Sequence, residues 1–300
     1  MNKESHSHKL DNLYEVAGFS KQAHRQYMSR RVKDAMIAGL VISSICEIRK
    51  IHDLMGLKKI YKLLSPDWIG RDRFIDIGVE YGLGIKRLQN YCRTTFSCKS
   101  ACFSNLAAGL PITDINQVWV SDITYFRVGE KFYYLTFIED VYSRRILGYV
   151  AYESLASEGN CIALRMALKE RSGINLKGLI HHSDRGTQYV SNKYLQILRE
   201  NGIGVSMCRN VYENAHIERV NGIIKNEYLG FRPIKTYEDL RSELSKAVKL
   251  YNEERPHWSL ALMTPVEYED NLKKVSLEAR MVLMLYSDKS SNYIQESLFK

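Results

Sequence analysis

Apolar residues recur at helical spacing over the first ninety positions and at strand spacing through the middle of the chain. Ser20 is placed to cap a helix running from Lys21-Gln22-Ala23 towards Cys46. A second helix is predicted over Leu57 to Leu64, closed by Ser65-Pro66, and a third from Gly70-Arg71-Asp72 to just before Gly82 and Gly84. The period then shortens. Val118 to Phe126, Phe132 to Ile138 and Arg145 to Tyr152 are rich in Val, Ile, Tyr and Phe and read as strands. The turns between them, Val128-Gly129-Glu130-Lys131 and Val141-Tyr142-Ser143-Arg144, are short enough to make an antiparallel meander. Asp140 reads as a residue of the second turn.

Beyond the meander the pattern alternates. A helix is predicted over Ser157 to Arg171, a strand over Gly178 to His182 and a helix over Asn192 to Asn201. A strand over Gly204 to Met207, a helix over Asn214 to Tyr228 and a long helix from Tyr237 to Tyr251 follow. Three antiparallel strands followed by alternating helix and strand imply an α/β fold, a mixed sheet covered by helices. The sequence divides into a helical module over 1–90, a Ser- and Thr-containing linker over 91–111, an α/β core over 112–270 and a tail over 271–300 that matches no pattern.

Charge adds to this division. Of a net +9, the first 110 residues carry +8, with 18 Lys and Arg against 10 Asp and Glu. A basic helical module beside a near-neutral core fits a polyanion-binding arm on a catalytic domain, and fits solvated helix faces as well. Lys58, Lys59, Arg71 and Arg73 lie between apolar positions in helices that suit a helix-turn-helix-like unit. The longest apolar run, Ala35 to Cys46, is shorter than the roughly 18 to 20 residues that span a membrane. The polar start MNKESHSHKLDN has no secretion-signal core, so the expected location is the cytoplasm. Six cysteines, at 46, 92, 98, 102, 161 and 208, form no CxxC pair and read as free thiols.

Three carboxylates stand out. Asp122 interrupts the apolar strand VWVSDITYF, Asp184 falls where the buried strand LIHHS ends, and Glu218 lies on the helix begun by Asn214, a candidate cap. Strand ends in α/β sheets commonly hold functional groups. A hydrogen-bonded interior Asp, a turn Asp and a surface Glu are the plain alternatives. Ile217, Val220, Ile224 and Tyr228 mark the buried stripe of that helix, and Glu218, Gly222 and Lys225 share the adjoining face.

Taken in order, VWVSDITYF, YLTFIEDVYSRRILGY, LIHHSDRGTQYVS, ENAHIERVNGIIKNEYL and YNEERPHWSLALMTPVEY resemble the successive landmarks of the DDE transposases with a retroviral-integrase-like core. Within that superfamily they resemble OrfB, the second-frame product of two-frame bacterial insertion sequences. IRKIHDLMGLKKIYKLL and IGRDRF resemble that group's N-terminal helical module. The resemblance implies a ribonuclease H-like core. It makes Asp122, Asp184 and Glu218 the triad that binds two Mg²⁺ or Mn²⁺ ions, and Lys225 a phosphate contact. Arg219, Asn221, Arg255 and His257, with Lys58, Lys59, Arg71 and Arg73, are the further DNA contacts expected. The family usually separates the second Asp from the Glu by about thirty-five residues; here residues 185–217 intervene, and the shortening falls in a loop near Cys208-Arg209-Asn210-Val211.

The resemblance further implies hydrolytic nicking of transposon ends and attack of the freed 3′-hydroxyl on target DNA. Partners would be the transposon ends and target, further copies of the chain on DNA, and the upstream-frame OrfA product or a fusion with it. Hard cations suit such a site because they take oxygen ligands and share their remaining positions with substrate phosphates. Two rivals remain at this stage: a ribonuclease H-like nuclease or resolvase without strand transfer, and a non-catalytic DNA-binding derivative. His181 and His182 read as structural before catalytic, with His182 within reach of the site as the alternative, and His216 reads as a residue beside the catalytic face and not a ligand.

Overall fold

A computed structural model describes residue 14 and residues 16–85, 103–208 and 211–285. Cys92, Cys98 and Cys102, part of the expected linker and the last fifteen residues lie outside the described residues. The chain divides into a helical unit, residues 1–51 with 56–85, and a larger unit, residues 52–55 with 86–300.

In the helical unit, α1 spans Lys21–Ile51. Ser20 Oγ accepts from the Ala23 amide at 3.1 Å, the cap expected of it. The helix runs past Cys46, where the apolar pattern stops, and Lys50 pairs with Glu47 across its last turn at 2.5 Å. Its buried residues, Ala38, Val41 and Ile45, all lie in the second half. There they meet α2 (Leu57–Leu64) and α3 (Arg71–Glu80), whose Ile60 and Phe74 are fully enclosed.

The larger unit is built on a five-stranded sheet. After β1 (Pro111–Ile112) come β2 (Val118–Val128), β3 (Lys131–Asp140) and β4 (Ile146–Tyr152), the antiparallel meander. Helix α4 (Ser157–Glu170) leads to β5 (Ile180–Ser183), and α5 (Asn192–Glu200) leads to β6 (Gly204–Met207). β5 pairs parallel with β2 and β6 parallel with β5, so the order is β4-β3-β2-β5-β6. That mixed order is the ribonuclease H-like arrangement.

Alternation along the strands separates two cores. Val118 and Val120 of β2, with Leu135 and Phe137 of β3, face α6 (Ala215–Ile223) and α7 (Tyr237–Glu253). Trp119 and Ile138 face α4 and α5 on the opposite side. Gly148 lets α4 lie directly on the sheet, since a Cβ there would fall 2.0 Å from the Ala163 carbonyl oxygen. Beyond α6 the helix widens into a π-type turn over Ile224–Leu229, where the Gly230 amide donates to the Lys225 carbonyl at 2.8 Å. The apolar spacing predicts an unbroken α-helix here, because 217, 220, 224 and 228 stay on one stripe through both geometries.

Helix α8 (Pro265–Leu272) contributes Glu269, buried against Arg171, Arg145 and the Ser143 hydroxyl. The tail, for which no pattern is legible, supplies β7 (Leu283–Met284), which pairs antiparallel with β1. Asp140 holds the β3–β4 turn as expected, accepting from the amides of Tyr142, Ser143 and Asn116.

Candidate active site

The three carboxylates arrive from three elements. Asp122 sits on β2 and points to the α6 side, the same side as Val118 and Val120. In the parallel pairing Ser121 stands opposite Ser183, so Asp184, the next residue past the end of β5, follows beside Asp122. Asp184 is fixed by an Asx turn in which its Oδ1 accepts from the Gly186 amide at 3.0 Å. Glu218 lies exposed in the first turn of α6, and Asn221, one turn further on, donates from Nδ2 to Asp122 Oδ2 at 2.7 Å. That bond ties the helix carrying the Glu to the strand carrying the first Asp.

The electrostatics report the same juxtaposition. Burial pushes the Asp122 carboxyl up to about 8, the Asp184 and Glu218 charges push in the same direction, and the Ile123 amide and Asn221 oppose them. Asp184 and Glu218 are each raised, chiefly by burial. The donor set is all oxygen and mutually repelling, which is the chemistry a hard dication relieves. Among the described residues no group of three His, Cys, Asp or Glu side chains is already drawn together closely enough to hold an ion. The carboxylates share one field without having converged.

Around them lies a buried support. Ser121 Oγ and the Tyr189 hydroxyl are 3.0 Å apart behind Asp122, and Tyr194 Oη meets His181 Nε2 at 2.9 Å. His182 is fully enclosed, with Nδ1 2.8 Å from Ser206 Oγ and Nε2 3.2 Å from Cys208 Sγ. His216 contacts the Arg144 guanidinium. Behind α6, Glu139 is buried with Oε2 lacking a hydrogen-bond partner, in the field of Arg144 and Arg219. His181 and His182 are buried in the core, and His216 is half-buried against Arg144. Asn214 does not cap α6 with its side chain; its Nδ2 is turned instead towards the Ser121 carbonyl at 3.5 Å.

The expected DNA contacts separate into two groups. Arg219 is exposed beside Glu218, and Lys225 lies on the adjoining face, its Nζ 3.1 Å from Thr124 Oγ1 and 4.7 Å from the Tyr125 ring centroid. Lys58, Arg71 and Arg73 are exposed on the helical unit. Asn221, Arg255, His257 and Lys59 are buried. The Arg255 guanidinium forks onto the Glu227 carboxylate at 2.8 to 3.0 Å, and His257 packs edge-on to Tyr251. All four side chains are largely enclosed by the protein, and they are not carried forward as DNA contacts. The inward role of Asn221 was missed by the sequence reading, although its place three residues after Glu218 puts it near the same face.

The Integrase core domain family matches residues 113–212, and a second Integrase core domain family matches residues 205–265. A protein of insertion element IS600 from Shigella sonnei, described as an uncharacterized 31 kDa protein, is 34% identical over 273 residues, 88% of this chain and 100% of that one. The chain belongs to the integrase-core transposase family of bacterial insertion sequences. Another relative, a putative transposase of IS986/IS6110 from Mycobacterium tuberculosis, is 34% identical over 160 residues, 51% of this chain and 58% of its own length. Among solved structures, the HTLV-2 integrase catalytic core domain in complex with magnesium is similar at 21% identity and a TM-score of 0.41, over 51% of this chain and 95% of that one. In this family member no helix among the described residues is long and apolar enough to cross a membrane.

Proposed function

We propose that the chain cleaves phosphodiester bonds at the ends of a mobile DNA element and joins the freed 3′-hydroxyls to target DNA, with Asp122, Asp184 and Glu218 as the catalytic carboxylates. The observation that carries this reading is the Asp122 carboxyl, pushed up to about 8 in a field to which Asp184 and Glu218 both contribute. Such a like-charge cluster destabilises the apo fold and is a mark of function. Mg²⁺ or Mn²⁺, held by these three side chains, would supply charge stabilisation for the attacking and leaving oxygens.

The residues of the chain do the positioning. Asn221 donates to one oxygen of Asp122 and fixes the orientation of the carboxylate. The Asx turn after β5 fixes Asp184. Glu218, exposed at the start of α6, is the member able to move inward. Lys225 and Arg219 flank the triad and suit the phosphates on either side of the reacting bond. No protein nucleophile is required; the reaction rests on orientation and electrostatics. The helical unit, with Lys58, Arg71 and Arg73 outward, would bind DNA backbone.

The test is strand transfer on end-sequence oligonucleotides. Asp122→Asn, Asp184→Asn and Glu218→Gln should each abolish nicking and transfer, and excess EDTA should do the same to the native chain. Melting temperatures without metal should hold or rise, because one member of a repelling cluster is neutral. Near-normal transfer by any one variant would remove that residue from the triad. Nicking without joining in the native chain would favour a nuclease.

A further inference from the structure

Helix α1 is long enough to be a partner surface, and among the described residues much of it is exposed. From Lys21 to Met36 every residue is exposed except His24, which is half-buried. Most helical stability in proteins comes from tertiary packing of an apolar face, and this helix carries large apolar side chains outward. Met28 is 46% exposed, Val32 54%, Met36 67% and Leu40 57%. Ala35, Gly39 and Ser43 are exposed beside them. At about 100° per residue, Met28, Val32, Ala35, Met36, Gly39 and Ser43 form one stripe. Leu40 lies at its edge, and the stripe stands opposite the face through which Ala38, Val41 and Ile45 are buried.

The stripe is symmetric in position and complementary in size. Positions 28, 32, 35, 36, 39 and 43 reflect onto themselves about the Ala35–Met36 peptide. Each pair of positions related by that reflection holds one large and one small residue: Met28 and Ser43, Val32 and Gly39, Met36 and Ala35. We infer that this face pairs antiparallel with the same face of a second copy of the chain. That pairing sets Met28 against Ser43 of the copy, Val32 against Gly39 and Met36 against Ala35, a large side chain into a small one at every level. It also brings Arg25, exposed and basic, beside Glu47 of the copy, and two-fold symmetry makes the contact twice. A parallel pair would stack Met on Met, leave gaps at Ala35, Gly39 and Ser43, and oppose Arg25 with Arg25. The first half of α1 is strongly basic, with Lys21, Arg25, Arg30, Arg31 and Lys33. Only the antiparallel arrangement keeps that charge away from its own image.

The exposed thiol of Cys46 on the same helix discriminates the geometries. In the antiparallel pair the two Cys46 positions are roughly 30 Å apart along the axis; in a parallel pair they face each other. The experiment uses the full chain with Cys92, Cys98 and Cys102 replaced by serine. One version retains Cys46; a second carries Cys46→Ser with Ala35→Cys. Mild oxidation should cross-link the Ala35→Cys chain into a dimer and leave the Cys46 chain monomeric on denaturing gels. Sedimentation of the native chain should show a concentration-dependent dimer. Val32→Glu with Met36→Glu should raise its dissociation constant about tenfold or more, since a charge must enter the apolar seam. At concentrations below the dimer's dissociation constant the melting temperature should not move, because both positions are exposed in the single chain. Cross-linking through Cys46 at the same rate, or no cross-link through Ala35→Cys at concentrations where the dimer sediments, would overturn the pairing. So would loss of DNA affinity in the double variant with association unchanged, which would make DNA the occupant. These readouts need no catalysis, so they stand or fall apart from the triad.

Discussion

Glu139 has a buried carboxyl that the proposed chemistry does not use. Burial, helped by Asp140, pushes it up to about 8 from an ordinary 4.5, against the pull of Arg144 and Arg219. A carboxyl raised on folding is neutral in the native protein when it would already be charged in the unfolded chain. Its penalty is therefore absent below 4.5, grows as pH rises above that value and levels off past 8. Glu139→Gln should melt together with the native protein at pH 4.5 and progressively above it towards pH 8. The widening is at most roughly 1.4 kcal/mol per pH unit. A constant gap between the two melting curves would show that Glu139 is ionised throughout. Asn221 poses the opposite question, since its only visible task is to hold Asp122. Asn221→Ala should cost about tenfold to a hundredfold in strand transfer or in metal half-saturation, as loss of an outer partner of a ligand does elsewhere. An unchanged metal titration would make it a packing residue only.

At the scale of elements, β4 and α4 approach each other backbone to backbone at Gly148. A methyl at Gly148 would meet the Ala163 carbonyl oxygen at 2.0 Å and the Ala167 amide nitrogen at 3.1 Å, and neither can rotate away. Gly148→Ala should therefore lift α4 from β4 and destabilise the core by roughly 1 to 3 kcal/mol or more. Urea unfolding checks this, and any transfer activity should fall only as folding falls. The sequence could not reveal this contact, because a glycine in a strand reads equally as a bulge or a close approach. The meander was legible because β-branched and aromatic residues mark its strands and short turns close it. The alternation after it was legible from period alone. What stayed hidden depended on partners far along the chain. Asn214 reads as a cap until β2 presents the Ser121 carbonyl. Arg255 and His257 read as a structural turn and DNA contact, and their enclosure by Glu227 and Tyr251 is not visible from the sequence. The π-type turn after Ile223 leaves the apolar stripe intact, so periodicity has no means of detecting it. The triad was found through motif order, since each carboxylate alone has an ordinary explanation.

At the scale of the whole molecule, the charge asymmetry of the sequence acquires an address. The first 110 residues hold most of the excess positive charge, and on the helical unit Lys58, Arg71 and Arg73 are exposed while Lys59 is buried. Two of the exposed cations are already paired. Arg71 meets Asp72 at 2.9 Å and Arg73 meets Asp34 at 2.7 Å, with all four side chains more than half exposed. Exposed pairs of this kind contribute between nothing and about 1 kcal/mol, so a phosphate can replace the carboxylate at little loss. Each cation that does so releases condensed counterion from the duplex. Replacing Lys58, Arg71 and Arg73 together by alanine should therefore weaken binding to any duplex sequence. It should also flatten the plot of log affinity against log salt by close to one for each contact removed. Folding should be unaffected, since none of the three side chains is buried. Fluorescence anisotropy of a random duplex titrated with salt decides the matter. A loss of affinity with the salt slope unchanged would mean that these residues act through shape rather than charge. An unchanged slope and affinity would move the non-specific DNA contacts off the helical unit, leaving Lys225 and Arg219 beside the carboxylates as the first candidates to carry them.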